Sequence, residues 1–123
     1  MYRKIEATEV EGGLRLLPDE KIELAFQFDA VDKGIFGESH RDNDCIYFTN
    51  KRLIRLERAT YRIAPYKDII YYRVGKHGGE SIRPGVTINL PGESSSSRFE
   101  LTMEEKYLID VEYLLARHVF KYC

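Results

Sequence analysis

The sequence predicts a mainly β fold that ends in one amphipathic α-helix. Apolar and polar residues alternate in short runs between residues 22 and 102, Gly, Pro and Asn separate these runs, and the apolar spacing then changes to three and four. The chain has 123 residues, of which 43% are hydrophobic and 32% charged. These values predict a single domain over residues 1–123 with one core. We place the core at about 16–121 and treat 1–15 as an N-terminal extension.

The first predicted strand covers residues 22–29. Ile22, Leu24, Phe26 and Phe28 alternate there with less apolar residues, which is typical of a strand with one buried face. The next segment, 29–43, contains acids and glycines without a sustained period. We therefore predict a long loop.

A hairpin is predicted from "CIYF" (45–48) and "RLIRLE" (52–57), joined at Thr49, Asn50 and Lys51. Asn tolerates the left-handed backbone that tight hairpin turns require, so Asn50 is interpreted as a turn residue. The turn and the strand after it carry three basic side chains: Lys51, Arg52 and Arg55.

Four further strands bring the predicted total to seven. They are expected at "YRIAPY" (61–66), "IIYYRV" (69–74), "GVTINL" (85–90) and "RFELT" (98–102). Pro65 is expected at a strand end or on an edge strand, because it cannot donate to a ladder.

The last segment predicts one helix over about 103–121. Thr102 and Glu105 have the spacing of a capping box at its start. Apolar and aromatic residues then recur at helical spacing, which predicts one face packed on the sheet. These residues are Tyr107, Leu108, Val111, Leu114, Leu115, His118 and Val119.

Charge is distributed unevenly although the net charge is −1. Residues 41–83 hold ten Lys or Arg against five acids, a balance of +5, and the rest of the chain has a balance of −6. Such asymmetry suits an anion-binding face or complementary faces for self-association. It is weaker than the basic charge of dedicated nucleic-acid binders, so no nucleic-acid partner is expected.

Cys45 and Cys123 are the two cysteines, and they form no paired motif. Cys45 falls in a predicted strand and is interpreted as a buried free thiol. The sequence has neither the apolar segment of a signal peptide at its start nor a run of about 18 apolar residues, the length of a membrane span. We expect a cytoplasmic protein.

Several segments together resemble the bacterial pleckstrin-homology (PH) domain family. "LLPDEKIELAF", "FTNKRLI" and "APYKDI", followed by an amphipathic helix, are similar to the family patterns "LLPGE", "FT(N/D)KRLI" and "IPY..I" in the same order. The resemblance covers about residues 16–120. It implies a seven-stranded, partly open antiparallel barrel of two orthogonal sheets, capped by the helix. It also implies self-association into ring-like oligomers.

The predicted function is a non-enzymatic interaction or scaffold module that self-associates and binds a protein or peptide partner of unknown identity. Its candidate interaction surface comprises Lys51, Arg52 and Arg55 on the hairpin, with Ile35 and Phe36 in the 29–43 loop. Unpaired edge strands of an open barrel need covering, which favours a homo-oligomer.

The alternative function is peripheral binding of anionic lipid headgroups through the basic 51–76 segment or the 29–43 loop. Lipid-binding PH domains concentrate cations in the loop between their first two strands. Here Lys33, His40 and Arg41 are outnumbered by acids in that loop, which disfavours this alternative.

Catalytic and metal sites are not indicated. His40, His77 and His118 are far apart, and "DND" (42–44) lacks the later acid and Gly of a calcium loop. We predict no catalytic residues, no metal and no cofactor.

Overall fold

The computed structural model describes residues 1–28, 44–57, 60–77, 83–92 and 97–120. The described residues contain eight strands: β1 (Tyr2–Lys4), β2 (Ile22–Phe28), β3 (Cys45–Thr49), β4 (Arg52–Glu57), β5 (Thr60–Pro65), β6 (Tyr71–His77), β7 (Arg83–Asn89) and β8 (Arg98–Thr102). One α-helix, α1 (Leu108–Val119), follows them. The predicted class, mainly β with a C-terminal helix, is confirmed.

The strands form two antiparallel sheets. One has the order β1-β2-β3-β4-β5 and the other the order β6-β7-β8. Chain contacts divide the molecule into two compact units, Met1–Ile63 and Ala64–Cys123, called here the N-terminal and C-terminal units. Pro65 ends β5, the last strand of its sheet, as predicted.

In the N-terminal unit, residues before Leu16 contribute to the sheet and its core. β1 pairs with β2, with Tyr2 opposite Phe28. Val10 is buried in a cluster with residues from β2, β3 and β4, and Ile5, Ala7 and Leu14 pack against that cluster. The buried members from the strands are Ala25, Cys45, Tyr47, Ile54 and Leu56.

This packing changes the expected pattern of β2 and β3. Ala25, expected on the polar face, is buried, because residues 5–16 cover that side of the sheet. All five residues of β3 are buried. Cys45 and Tyr47 face residues 5–16, and Ile46 and Phe48, on the other face of the sheet, are fully buried together with Phe26. Cys45 is a buried free thiol, as predicted.

In the C-terminal unit, one face of the three-stranded sheet packs on the helix. Val86 lies opposite Leu101, and Ile88 lies opposite Phe99. α1 contacts β6, β7 and the 3-10 turn Tyr66–Asp68. Its buried residues are Leu108, Val111, Leu114, Leu115 and Val119, all of them in the predicted stripe.

The predicted start of the helix is wrong. Thr102 ends β8, and the Met103 amide continues the ladder by donating to the Pro84 carbonyl at 3.2 Å. A 3-10 turn, Glu105–Tyr107, then precedes α1, and no side-chain cap forms at either helical start. The capping box is absent because the extended ladder takes Thr102 out of the cap position.

Candidate interaction surface

The basic hairpin is tied to the turn before β2 by a buried carboxylate. Arg52 Nε lies 2.9 Å from Glu20 Oε2, and Arg52 Nη2 lies 3.1 Å from Glu20 Oε1. The Glu20 side chain is fully buried, and that of Arg52 is 13% exposed. A planar guanidinium that contacts both carboxylate oxygens is the strong form of such a pair.

Further donors complete the coordination of Glu20. The Leu17 amide donates to Oε1 at 2.7 Å, and the Thr49 hydroxyl donates to Oε2 at 2.6 Å. Thr49 Oγ1 also accepts from the amides of Lys51 and Arg52. Burial acts to raise the pKa of Glu20, but these hydrogen bonds and the Arg52 charge outweigh it and hold the pKa below its ordinary value.

Asn50 joins the same two segments through its side chain. Its Oδ1 accepts from the Lys21 amide at 2.7 Å, and its Nδ2 donates to the Asp19 carbonyl at 3.0 Å. Asn50 lies in the turn between β3 and β4, as predicted, but its φ is not positive, so the left-handed backbone expected there is wrong. That conformation belongs to Asp19, with φ 62°, after Pro18 in the turn closed by the Glu20 amide and the Leu17 carbonyl.

A second notable surface lies in the C-terminal unit, on the face of α1 opposite its core contacts. Ile109, Tyr113, Ala116 and Phe120 follow one another at intervals of four, three and four residues. Ile109 is 58% exposed, Tyr113 71% and Phe120 60%, and Ala116 is partly exposed. We call these four residues the outer stripe of α1.

Phe120 keeps its place in the stripe although it follows the last helical residue. Its amide donates to the Ala116 carbonyl, and its backbone is close to helical. Its ring lies 6.1 Å from that of Tyr72. The end of the helix is therefore fixed against the start of β6.

A groove continues the apolar surface beyond Phe120. It has a volume of about 380 Å³ and is lined by Tyr66, Lys67, Ile69, Ile70, Tyr71, Tyr72, Val119 and Phe120. At its rim Ile70 is 63% exposed and Tyr71 is 51% exposed. Exposed apolar side chains thus extend from Ile109 along α1 to the start of β6.

Charged side chains border the outer stripe. Asp110 and Arg117 are exposed on one flank of the helix, seven residues apart, and Glu112 is exposed on the other. An apolar strip with polar flanks has the composition of a protein contact surface.

Comparison with solved structures decides the fold. A DUF1696 family protein with a pleckstrin-homology domain from Shewanella loihica PV-4 superimposes with a TM-score of 0.61 at 18% identity, over 85% of this chain and 83% of that chain. The chain has a PH-like fold. The predicted PH-like domain is confirmed.

Two further PH domains are similar to this chain at 18% identity and a TM-score of 0.57. One is from Shewanella amazonensis SB2B, with 85% of this chain and 88% of that chain covered. The other is the Vps36 N-terminal PH domain, with 98% and 93% covered. No family model matches the sequence, and neither does any curated protein.

Within this PH-like fold, the basic residues of the predicted surface have different surroundings. Lys51 is exposed at the hairpin, whereas Arg52 is held by Glu20. The Arg55 side chain is 17% exposed, and its Nε lies 3.0 Å from Glu57 Oε1. Their role in interaction stays a prediction.

Other predicted features lie outside the described residues. These include Ile35 and Phe36 and the whole 29–43 loop. The described part of the chain brings no three His, Cys, Asp or Glu side chains together as a metal site. It also has no helix long and apolar enough to cross a membrane.

Sequence reasoning missed the outer stripe, although its spacing was visible. The apolar spacing over residues 103–121 predicts one apolar face, and the buried stripe accounts for it. Ile109, Tyr113 and Phe120 form a second set with helical spacing. A helix with two apolar faces is the signal that would have identified the surface.

Proposed function

We propose that this PH-like domain is a non-enzymatic scaffold module that self-associates and presents its copies to a protein or peptide partner. The observation that carries the proposal is the outer stripe of α1 with its extension at Ile70 and Tyr71. Single exposed apolar residues are ordinary on protein surfaces, whereas adjoining ones mark contact sites. Here five large apolar side chains, each more than half exposed, belong to one unit.

The sheet edge supports the same proposal. β6 is an outer strand in the order β6-β7-β8, and Tyr71, its first residue, is exposed. Outer strands that are not covered tend to pair with other chains. Contact with a second copy at this end of the unit would remove the exposed apolar side chains from water.

Charge supports contact between identical chains. The +5 segment at 41–83 and the −6 balance elsewhere let two copies attract one another through unlike regions. A ring needs head-to-tail contacts, whereas a two-fold pair uses one surface twice. Both arrangements are forms of the proposed self-association.

The solution mass of the full chain tests the proposal. Light scattering after size exclusion, at loading concentrations from about 1 to 100 μM, is expected to give a multiple of the 14.4 kDa chain mass. A constant mass of one chain over this range would overturn self-association.

Vesicle binding separates the proposal from the lipid alternative. Little of the protein is expected to bind to vesicles with anionic headgroups at physiological salt, because Arg52 and Arg55 are already engaged with Glu20 and Glu57. Strong retention that falls with added salt would favour the lipid alternative over a protein scaffold.

A further inference from the structure

We propose that two copies of the chain pair through the outer stripe of α1, with the helices antiparallel about a two-fold axis. This inference rests on the proposed self-association and specifies its contact. With 3.6 residues per turn, the four stripe positions fall within about 60° of one another around the helix. They form a narrow seam of the kind that helix pairs bury.

The seam is distinct from the face that packs on the sheet. Leu108, Val111, Leu114, Leu115 and Val119 are buried within the protein, and they occupy the opposite side of the helix. Tyr113 and Ile109 therefore do not serve the core of their own unit. A second copy can cover them without any change in the fold.

Side-chain sizes match in the antiparallel pairing. With the seams facing each other, Ile109 lies opposite Phe120 of the second copy, and Tyr113 lies opposite its Ala116. Each large Tyr113 ring then meets a small residue, as interdigitated helix packing requires. The groove beside Phe120, with Ile70 at its rim, receives Ile109 of the second copy.

Charge selects the antiparallel direction. An antiparallel two-fold pair brings the same flank of both helices together, which places Asp110 of each copy near Arg117 of the other. A parallel pair brings opposite flanks together and places Asp110 beside Glu112 of the other copy. The charged side chains that come closest together are unlike in the first arrangement and like in the second.

The partner is therefore a second copy of this chain. Because a two-fold axis repeats each contact, the pair contains two Asp110–Arg117 contacts and two Tyr113–Ala116 contacts. The smallest assembly expected has twice the mass of one chain.

Tyr113→Asp tests whether the seam is the contact. Tyr113 is 71% exposed, so its replacement leaves the core intact. Sedimentation velocity is expected to show the wild-type chain as pairs and the variant as single chains at the same concentration, with circular dichroism confirming that both are folded. Pairs that persist in this variant would overturn the proposed seam while leaving self-association itself in place.

Charge exchange tests the direction of pairing. Asp110→Arg and Arg117→Asp each place like charges opposite one another, and each is expected to weaken pairing roughly tenfold through its two repeated contacts. An equal mixture of the two variants restores both unlike contacts and is expected to pair as tightly as the wild type. Failure of the mixture to recover would overturn the antiparallel arrangement.

Glu112→Arg is the matched control, because it makes the same charge change on the other flank of the same helix. It is expected to weaken pairing by less than twofold. A loss equal to that of Asp110→Arg would contradict the assigned register.

Two further measurements, of solution mass and of vesicle binding, can each overturn the pairing. A single-chain mass at 100 μM would overturn both this inference and the proposed function. Retention on neutral phosphatidylcholine vesicles that Tyr113→Asp abolishes would assign the stripe to a lipid surface and overturn the pairing.

Discussion

Arg52 and Glu20 form a bidentate ion pair that joins the β3–β4 hairpin to the turn before β2. The guanidinium reaches both oxygens of a carboxylate whose side chain is fully buried. The two segments, "LLPDEKI" and "FTNKRLI", are those that resemble the bacterial PH pattern. Part of that resemblance therefore has a structural cause, because Thr49, Asn50 and Arg52 bind the backbone and carboxylate of residues 19–21.

Glu20→Gln is expected to lower the free energy of unfolding by about 2 kcal/mol, because it removes the charge that compensates the mostly buried Arg52. Urea denaturation at pH 7 measures the change. Glu100→Gln is the control, since Glu100 and Arg98 pair at 3.5 Å with side chains 67% and 57% exposed. The control is expected to lose less than about 0.5 kcal/mol. Equal losses in the two variants would contradict a special role for Glu20.

The pH dependence of stability is also expected to differ between the wild type and Glu20→Gln. The pKa of Glu20 is lower in the folded protein than the value of about 4.3 expected when unfolded. Its contribution is therefore complete above the unfolded pKa and is lost as pH falls through the folded pKa. The stability difference between wild type and Glu20→Gln is expected to shrink between pH 5 and about pH 3. A difference that stays constant to pH 3 would show that ionisation of Glu20 does not contribute.

The sheet strands were predictable because alternation follows from having one buried face. The hairpin at 45–57 and the strand at 98–102 occur where this pattern predicts them. Burial of Ala25 was not predictable in this way, since it depends on residues 5–16 packing on that face. When another segment of the chain covers one face of a strand, the alternation of residues in that strand does not reveal it.

Polar side chains were harder to place from sequence. Glu20 lies in a run of charged residues, "DEK", and only the approach of Arg52 and Thr49 explains why it is buried. The sequence predicts only a backbone role for Asn50, whereas its side-chain amide connects the hairpin to residues 19 and 21. Both roles depend on partners about 30 residues away, beyond the reach of local patterns.

Asp19 offers a test of the turn before β2. Its φ of 62° places it at the turn position that favours Gly, as in the family pattern "LLPGE". Asp19→Gly is expected to change stability by less than about 0.5 kcal/mol, because relief of the left-handed backbone is offset by the greater freedom of Gly when unfolded. Asp19→Val is expected to lose about 1–2 kcal/mol, since a β-branched residue resists this conformation.

Thermal unfolding of the two Asp19 variants at pH 7 measures the difference. Both remove the same carboxylate, so the comparison isolates backbone conformation. Equal midpoints for Gly and Val would contradict the assigned left-handed turn.

Cys45 is expected to react slowly with thiol reagents in the folded chain. It is fully buried, and burial raises the pKa of its thiol, so the reactive thiolate is scarce at pH 8. The Cys123→Ser variant leaves Cys45 as the one thiol of the chain. Its reaction with a chromogenic disulfide reagent is expected to be at least about a hundredfold slower in buffer than in denaturing urea. Comparable rates in the two solvents would show that the sheet opens readily around Cys45, because a thiol enclosed by Val10, Tyr47 and Leu56 must be uncovered before it can react.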